Sequence, residues 1–163
     1  MNRPTDGFSM IELMMVVAVI AILATMAVPN IQGRLVREQI VEAARLADIA
    51  KAPIAATWAA AHLLPPDNAS VGLPAPDKIV SNLVSSVQVE GGAIHLTFGN
   101  RASGAIKGKI LTLRPGVVED APVVPVAWVC GDAQAPEKMT AQGVNKTSVP
   151  KDLLPLNCRA GVK

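Results

Sequence analysis

The stretch GFSMIELMMVVAVIAILATMAVP, residues 7–29, determines how this chain must be organised. After Glu12, no charged residue occurs within 13–33, a run of about 20 residues, which is enough for an α-helix to cross the hydrocarbon core of a bilayer. A carboxylate beside such a span costs about 2.5–3.5 kcal/mol at mid-bilayer on insertion scales, and less near the interface. Glu12 therefore either reaches the membrane interface or has a partner of opposite charge.

An ordinary secretory signal peptide is one alternative for this N-terminus. Such a peptide has a cationic start, an apolar run of about 7–15 residues and a cleavage site of small residues. Here Asp6 offsets Arg3, the apolar run is longer and follows a carboxylate, and only TMA at 25–27 weakly resembles a cleavage site. We therefore expect the apolar segment to remain in the mature protein.

The remainder of the chain has the composition of one soluble domain. The 163 residues carry a formal net charge of +2, and the acids and bases alternate without a run of like charge, so nothing requires a nucleic-acid partner. The chain has two Trp, two Phe and no Tyr. This scarcity of aromatic residues argues against a stacking surface for single-stranded nucleic acid.

A second helical pattern follows the apolar segment. Apolar residues recur at intervals of three and four, as on the buried face of an amphipathic helix. The predicted face comprises Val36, Ile40, Ala43, Ala47, Ala50, Ile54, Trp58 and Ala61. Pro53 is expected to bend this helix or to begin a new turn. From Phe8 to Ala61 the helix would be about 80 Å long, so half of it must lie in a membrane or against other subunits.

Strand patterns begin after a loop at 62–78 that is rich in Pro, Gly and polar residues. Strands are predicted within 85–98, 107–113 and 123–130. The first of these runs is divided by Glu90-Gly91-Gly92, which indicates a hairpin, and Pro125 makes the last run an edge strand. The tail 131–163 has little periodicity and is expected to form loops. The predicted class is α+β: a long N-terminal helix packed on a small antiparallel sheet.

The two cysteines, Cys130 and Cys158, both lie in the C-terminal part of the chain. In an oxidising compartment they would pair, closing a loop of about 29 residues and stabilising the fold by about 3.6 kcal/mol in the loop-entropy model. Two free buried thiols are the alternative expected of a cytosolic protein. The export segment at the N-terminus favours the disulfide.

Several of these segments resemble those of type IV pilins. The N-terminal stretch is similar to a short type IVa leader that ends in Gly7, followed by Phe8 and by an acid, Glu12, at the fifth position of the mature chain. The similarity continues in GAIHLTF, GKILTLRP, VAWVC and VPKDLLPLNCR, which resemble the sheet and the disulfide-bounded C-terminal region of these subunits. The resemblance implies a leader at 1–7, a transmembrane and filament-core helix at 8–33, and a soluble head at 34–163.

The resemblance also implies a sequence of events. Prepilin peptidase would cut after Gly7 and methylate the new amino group of Phe8. The subunit would wait in the inner membrane of a Gram-negative bacterium, and the pilus assembly machinery would then add it to an extracellular helical homopolymer. Such a filament serves adhesion, twitching motility and DNA uptake. In its core, Glu12 would face the Phe8 amine of a neighbouring subunit, because a buried carboxylate is tolerated only when it is paired. A Glu12 that only reaches the membrane interface is the alternative.

Two rival functions remain open from the sequence. A type II secretion pseudopilin shares the N-terminal motif, although the paired C-terminal cysteines speak against it. A DNA-binding minor or competence pilin would use basic side chains on phosphates. The candidates for such contacts are Lys138, Lys146, Lys151, Arg159 and Lys163. Acidic residues are interleaved with them, so an ordinary solvated face is the alternative.

The sequence gives no indication of an enzyme, a metal site or a cofactor. His62, His95 and the two cysteines have no metal-ligand spacing, and no serine lies in a G-x-S-x-G elbow. Asn68-Ala-Ser70 and Asn145-Lys-Thr147 match the N-glycosylation pattern, which is short and frequent by chance. The two matches therefore support no prediction about glycosylation, and we expect a structural protein.

Overall fold

A computed structural model describes residues 7–161 of the chain, without the side chains of 27–30. Of the predicted leader 1–7, only Gly7 is among the described residues. Lys163 lies outside them. The chain divides into two compact units, of which the first ends at Leu35 and the second begins at Val36.

The first unit is the N-terminal part of helix α1, which spans Met10–Ala44. The helix begins after Ser9, whose carbonyl accepts the backbone N–H groups of Glu12 at 3.1 Å and Leu13 at 3.2 Å. Its large apolar side chains as far as Met26 are uncovered, with exposures from 51% for Val16 to 85% for Met10. The mean hydropathy reaches 2.6, so by length and composition this helix can cross a membrane.

The second unit begins with the remaining turns of α1, a single 3₁₀ turn at Arg45–Ala47, and helix α2 at Asp48–Ala61. The predicted apolar face is confirmed from Val36 to Trp58, since each of its members is buried. The prediction that Ala61 belongs to this face is wrong. Ala61 is exposed, because the chain leaves the helix at His62, where φ is 55°. The interruption of the helix lies at the 3₁₀ turn, and α2 continues through Pro53.

Four antiparallel strands form the sheet in the order β1-β2-β3-β4, and a short fifth strand, β5, pairs with β3. The strands are β1 Val84–Glu90, β2 Ala93–Phe98, β3 Ile110–Val117, β4 Ala127–Cys130 and β5 Thr140–Ala141. The predicted α+β class, with the helix packed on an antiparallel sheet, is confirmed. The tail, predicted as loops, contains β5 and a 3₁₀ turn at Leu156–Cys158.

The predicted hairpin is present between β1 and β2. Glu90 pairs with Ala93, and both Gly91 and Gly92 have positive φ angles, 55° and 80°. A two-residue hairpin turn of this kind needs φ above zero at both positions, which favours glycine.

The last predicted strand run, 123–130, is correct only in its second half. Strand β4 begins at Ala127, and Val123 is 87% exposed in the preceding loop. Pro125 lacks the N–H that a sheet position would use, which explains why pairing begins after it. β4 terminates the strand order, as the prediction of an edge strand requires.

The hydrophobic core lies between the helix face of the second unit and one face of the sheet. Ile40 and Ile54 are fully buried in the same cluster as Leu96, Phe98 and Leu111. Fully burying an aliphatic or aromatic side chain of this size stabilises the fold by about 1.5–3 kcal/mol. This core belongs entirely to the second unit.

We therefore expect a fragment that begins at about residue 35 to fold by itself and to remain monomeric. Its helix has one strongly apolar face, which the sheet covers, and the exposed apolar part of α1 is absent from it. Circular dichroism and analytical ultracentrifugation would measure both properties. Filaments formed by this fragment alone would show that the apolar helix is not what drives assembly.

Candidate assembly site and disulfide-bounded region

The predicted cleavage site lies in an open segment before α1. Gly7, Phe8 and Ser9 are outside any helix or strand, and the side chain of Phe8 is 82% exposed. Apart from its chain neighbours, no atom of the described residues would lie within 4 Å of a Cβ atom built at Gly7. The described structure therefore places no steric restriction on the side chain at position 7, so a requirement for glycine must come from another molecule.

Glu12 lies in the first turn of α1, four residues after Phe8. Its side chain is exposed and stands at the start of the uncovered apolar surface. A carboxylate in the first turn also interacts favourably with the partial positive charge at a helix N-terminus, by about 0.3–1 kcal/mol when exposed. Sequence reasoning missed this second contribution, because it needs the observed start of the helix at Met10.

The C-terminal region is joined to the sheet by the predicted disulfide between Cys130 and Cys158, whose Cα atoms are 4.6 Å apart. Both cysteines are buried. The N–H of Asp132 donates to the carbonyl of Cys158 at 3.0 Å. Gly131, which directly follows Cys130, has φ of 55°, and a Cβ there would lie 2.8 Å from the carbonyl oxygen of Cys158. This requirement for glycine could not be found from the sequence.

Residues 142–148, here named the strap, cross β3 on the sheet face opposite the helix. The N–H of Gln142 donates to the carbonyl of Pro115 at 2.8 Å, and the N–H of Ser148 donates to that of Ile110 at 2.9 Å. Between them, the N–H of Lys146 donates to Thr112 Oγ1 at 3.0 Å. Thr112 alternates along β3 with core residues, so its side chain points away from the core.

The strap covers His95, which is 3% exposed. Nδ1 of His95 lies 2.9 Å from Thr112 Oγ1, and Nε2 lies 3.9 Å from Glu90 Oε2. The side chain of Lys146 donates to the same carboxylate, and this hydrogen bond lowers the pKa of Glu90. Burial, assisted by the charge of Lys146, lowers the pKa of His95, and the Glu90 carboxylate opposes that shift.

Comparisons with known proteins find matches to both the N-terminal segment and the head of the chain. The family described as pilin (bacterial filament) matches residues 36–159, and the prokaryotic N-terminal methylation motif matches residues 2–28. The chain is 33% identical over 165 residues to the type IV major pilin protein PilE1 of Neisseria gonorrhoeae, covering 98% of this chain and 89% of that protein. The chain belongs to the type IV pilin family. It is also 34% identical over 133 residues to the fimbrial protein EcpC of Eikenella corrodens, covering 80% of this chain and 84% of that protein.

Membership in this family implies a pilus structural subunit that assembles with other pilin subunits. The uncovered apolar helix of this pilin fits that role, because its side chains have no cover within the described chain. A pilus on the cell surface is the corresponding location.

Among the described residues, the basic side chains of the C-terminal region do not form one free patch in this pilin. The side chain of Lys146 is held by Glu90. The guanidinium of Arg159 donates to the carbonyls of Leu154 at 2.8 Å and Asp152 at 2.8 Å. Arg37 of α1 donates to the same Asp152 carbonyl at 2.9 Å, so both arginines hold loop backbone.

Lys138 and Lys151 are exposed. Lys151 borders a surface cleft of about 290 Å³ that is also lined by Asp132, Asp152 and Arg159. Two acids and two bases thus line this cleft, so it offers phosphate no excess of positive charge. DNA binding by this pilin stays a prediction to which the described surface adds no support.

The two N-glycosylation patterns have different environments. Asn68 is 5% exposed, and its amide group donates to the carbonyls of Pro74 at 2.9 Å and Val87 at 3.0 Å. Its oxygen accepts the N–H of Val89 at 2.6 Å. Asn68 is therefore inaccessible in the folded pilin and fastens the 62–78 loop to β1. Asn145 is exposed on the strap.

Within residues 7–161, no group of three or more His, Cys, Asp or Glu side chains is arranged to hold a metal ion. His62 ends α2 and its ring lies 6.4 Å from that of Trp58, whereas His95 belongs to the cluster beneath the strap. The two histidines thus lie in separate parts of the head.

Proposed function

We propose that this protein is the structural subunit of a type IV pilus, made as a precursor with its leader at 1–7. Prepilin peptidase removes the leader after Gly7 and methylates the Phe8 amine. The segment 8–33 holds the subunit in the inner membrane and later forms the filament core, and 34–163 is the soluble head. The pilus serves adhesion and twitching motility, and DNA uptake is its third proposed role.

One observation carries the proposal: a helix whose apolar side chains are uncovered continues into a head that has its own complete core. The large apolar side chains of α1 up to Met26 are all more than half exposed. Water disfavours such a surface by about 25 cal/mol for each Å² of apolar area. A bilayer covers it before assembly, and the equivalent helices of other subunits cover it in the filament.

The position of Glu12 supports a role in assembly. Cleavage after Gly7 creates a positive amine at Phe8, four residues before Glu12, and both residues are exposed where the apolar surface begins. In a filament core, the amine of one subunit and the carboxylate of its neighbour neutralise each other. The contact then fixes the axial register between subunits, and a heterologous contact that does not close into a ring extends indefinitely.

Mass spectrometry of filaments sheared from cells tests this function directly. A pilus subunit should be abundant in the sheared fraction, with its mature N-terminus at Phe8 and one added methyl group. A pseudopilin would instead be scarce there, and its deletion would stop protein export. A DNA-binding minor pilin would be a trace component that shifts duplex DNA in a salt-dependent manner.

We expect Gly7→Val to leave uncleaved precursor in the membrane. The described structure leaves room for a side chain at position 7, so this substitution should not affect folding and should act only on recognition by the peptidase. The intact mass of the membrane-bound subunit gives the measurement.

Gly104→Val is a matched control, because a Cβ at Gly104 also meets no atom within 4 Å in the described part of the chain beyond its two neighbours. This variant should be processed normally. Filament subunits that retain Met1 in the otherwise unchanged protein would contradict the proposed processing.

A further inference from the structure

The cluster beneath the strap has no part in the proposed function, although it contains a buried titratable group. Nε2 of His95 is buried and has no hydrogen-bond partner among the described residues. The nearest carboxylate oxygen, Glu90 Oε2, lies 3.9 Å away, beyond hydrogen-bond distance. On the other side of the ring, Nδ1 is 2.9 Å from Thr112 Oγ1.

The hydrogen bonds of Thr112 indicate which nitrogen of His95 carries the proton. A threonine hydroxyl has one hydrogen to donate and two lone pairs that accept. Thr112 Oγ1 accepts the backbone N–H of Lys146, and among the described residues its own hydrogen has no acceptor other than Nδ1. The ring hydrogen consequently belongs on Nε2, where it faces the Glu90 carboxylate. The hydroxyl group of Thr112 on β3 therefore connects neutral His95 on β2 with the strap.

We propose that the strap is an acid-sensitive latch, closed over neutral His95 and opened when His95 takes up a proton. The proton binds at Nδ1, which can then no longer accept the Thr112 hydroxyl. The Thr112 hydroxyl must then rotate so that its oxygen accepts the new N–H of Nδ1. The hydroxyl hydrogen is left without an acceptor. The ring also becomes a second cation beside Lys146, and the two share one carboxylate. When the strap opens, water solvates the imidazolium ring.

Two charged groups act on the His95 ring, Glu90 and Lys146, and two more, Arg114 and Asp132, belong to the neighbouring elements. Glu90 faces the ring from β1 and Lys146 from the strap. Arg114 stands two residues beyond Thr112 on β3, with its guanidinium donating to the carbonyls of Gly131 and Ala133 at 3.3 and 3.4 Å. Asp132 follows β4, and its carboxylate accepts the amide of Asn145 on the strap at 2.9 Å.

The direction of the effect follows from these groups. Burial and Lys146 lower the pKa of His95 in the closed state, and Glu90 only partly opposes them. An exposed histidine has a pKa of about 6.5, so the open strap binds a proton at a pH where the closed strap does not. Opening therefore becomes more favourable as pH falls below about 6.5.

Hydrogen exchange of the full chain in detergent micelles, from about pH 8 to pH 5, measures this opening. After correction for the intrinsic rate of exchange, the opening constant for the amides of Lys146 and Ser148 should rise about tenfold per pH unit below about 6.5. The rise should stop once the pH falls below the pKa of His95 itself. Amides of β2 in the same sample report any global change. Strap amides that show no acid response would overturn the proposal.

Two histidine variants identify the group that titrates. His95→Asn places an amide atom near the position of Nδ1 and cannot take up a proton in this range, so the acid response should vanish. His62→Asn removes the other histidine of the chain and should respond like the unchanged protein. An unchanged response in His95→Asn would show that another group titrates.

Lys146→Met gives an independent test if His95→Asn does not fold, because the Lys146 side chain is solvent-accessible and its backbone contact to Thr112 needs only the N–H. Without this ammonium group, Glu90 is left to pair with the imidazolium alone, and the closed strap tolerates the proton better. The acid response should therefore be smaller and should occupy a narrower pH range. A response as large as that of the unchanged protein would contradict the proposed charge competition.

Discussion

Glu12→Val should abolish filaments while the subunit accumulates in the membrane. Before assembly, Glu12 stands at the first turn of α1, where it can reach the membrane interface, so its loss should not harm insertion. In the proposed filament core the variant leaves the Phe8 amine of the neighbouring subunit without a partner. Leaving one charge of a buried pair alone costs about 3–5 kcal/mol, which is about two to four powers of ten in an assembly equilibrium.

Two further substitutions at this position separate charge from shape. Glu12→Asp keeps the carboxylate and shortens its reach by one methylene group, so filament yield should fall less than in the valine variant. Glu12→Gln keeps the shape and removes the charge, so its yield should lie nearer to that of valine. The order of yields then reports whether charge pairing or size controls assembly.

The measurement is the yield of sheared filaments relative to total subunit in the membrane, with leader cleavage checked by mass. Glu137→Val is the matched control, because Glu137 is an exposed acid in the head and its loss should leave the yield unchanged. A normal yield from Glu12→Val at normal subunit levels would refute the pairing of Glu12 with the amine.

Cys158→Ser should lower the free energy of unfolding of the head by about 2–5 kcal/mol. The disulfide closes the loop between β4 and the last 3₁₀ turn, so its loss releases a long segment in the unfolded chain. In the folded chain, that segment contains the strap and the loop whose Asp152 carbonyl is held by Arg37 and Arg159. Urea unfolding of the purified subunit, followed by circular dichroism, gives the value.

A double variant separates the crosslink from the chemistry of the new side chain. Cys130→Ala/Cys158→Ala removes the disulfide without placing a hydroxyl group at a site that is 3% exposed. A similar loss in both variants identifies the disulfide as the cause. Alkylation of both Cys130 and Cys158 in native protein without reductant would show that the disulfide is absent, and it would contradict the prediction.

Local patterns were sufficient where a residue's environment depends on its neighbours in sequence. The three-and-four spacing from Val36 to Trp58 predicted a helix face that is buried throughout. The sequence Glu90-Gly91-Gly92 predicted its hairpin, because few residues other than glycine adopt positive φ. The strand prediction failed at 123–126, where the apolar pattern was correct but Pro125 leaves the backbone without a donor.

Resemblance, rather than pattern, supplied the roles of Gly7, Phe8 and Glu12. The described structure adds that Gly7 and Phe8 are accessible and that Glu12 occupies the first turn of α1. Cleavage, methylation and pairing between subunits involve other molecules, so one chain does not contain the atoms that would decide them. These roles are therefore the subject of the proposed experiments.

The contacts that sequence reasoning could not predict join residues far apart in the chain. His95 meets Thr112, 17 residues away, and Glu90 meets Lys146, 56 residues away. Arg37 donates to a backbone carbonyl 115 residues away. In the sequence, Asn68 belonged to a glycosylation pattern, and Lys146 was a candidate for contact with DNA. The structure shows that each also fixes a loop or the strap to the sheet.

By itself, the sequence determined that this chain has an apolar helix with one carboxylate, a half-buried helix beyond it, a hairpin and a pair of cysteines that an oxidising compartment would join. Each of these follows from hydrophobic periodicity, backbone preference or compartment, which act on neighbouring residues or on the chain as a whole. Only the tertiary structure decided where the strap crosses β3 and that His95 is buried beneath it. Those positions depend on which backbone donors and acceptors remain unpaired after the sheet has formed, and a buried polar group must find its partner among them.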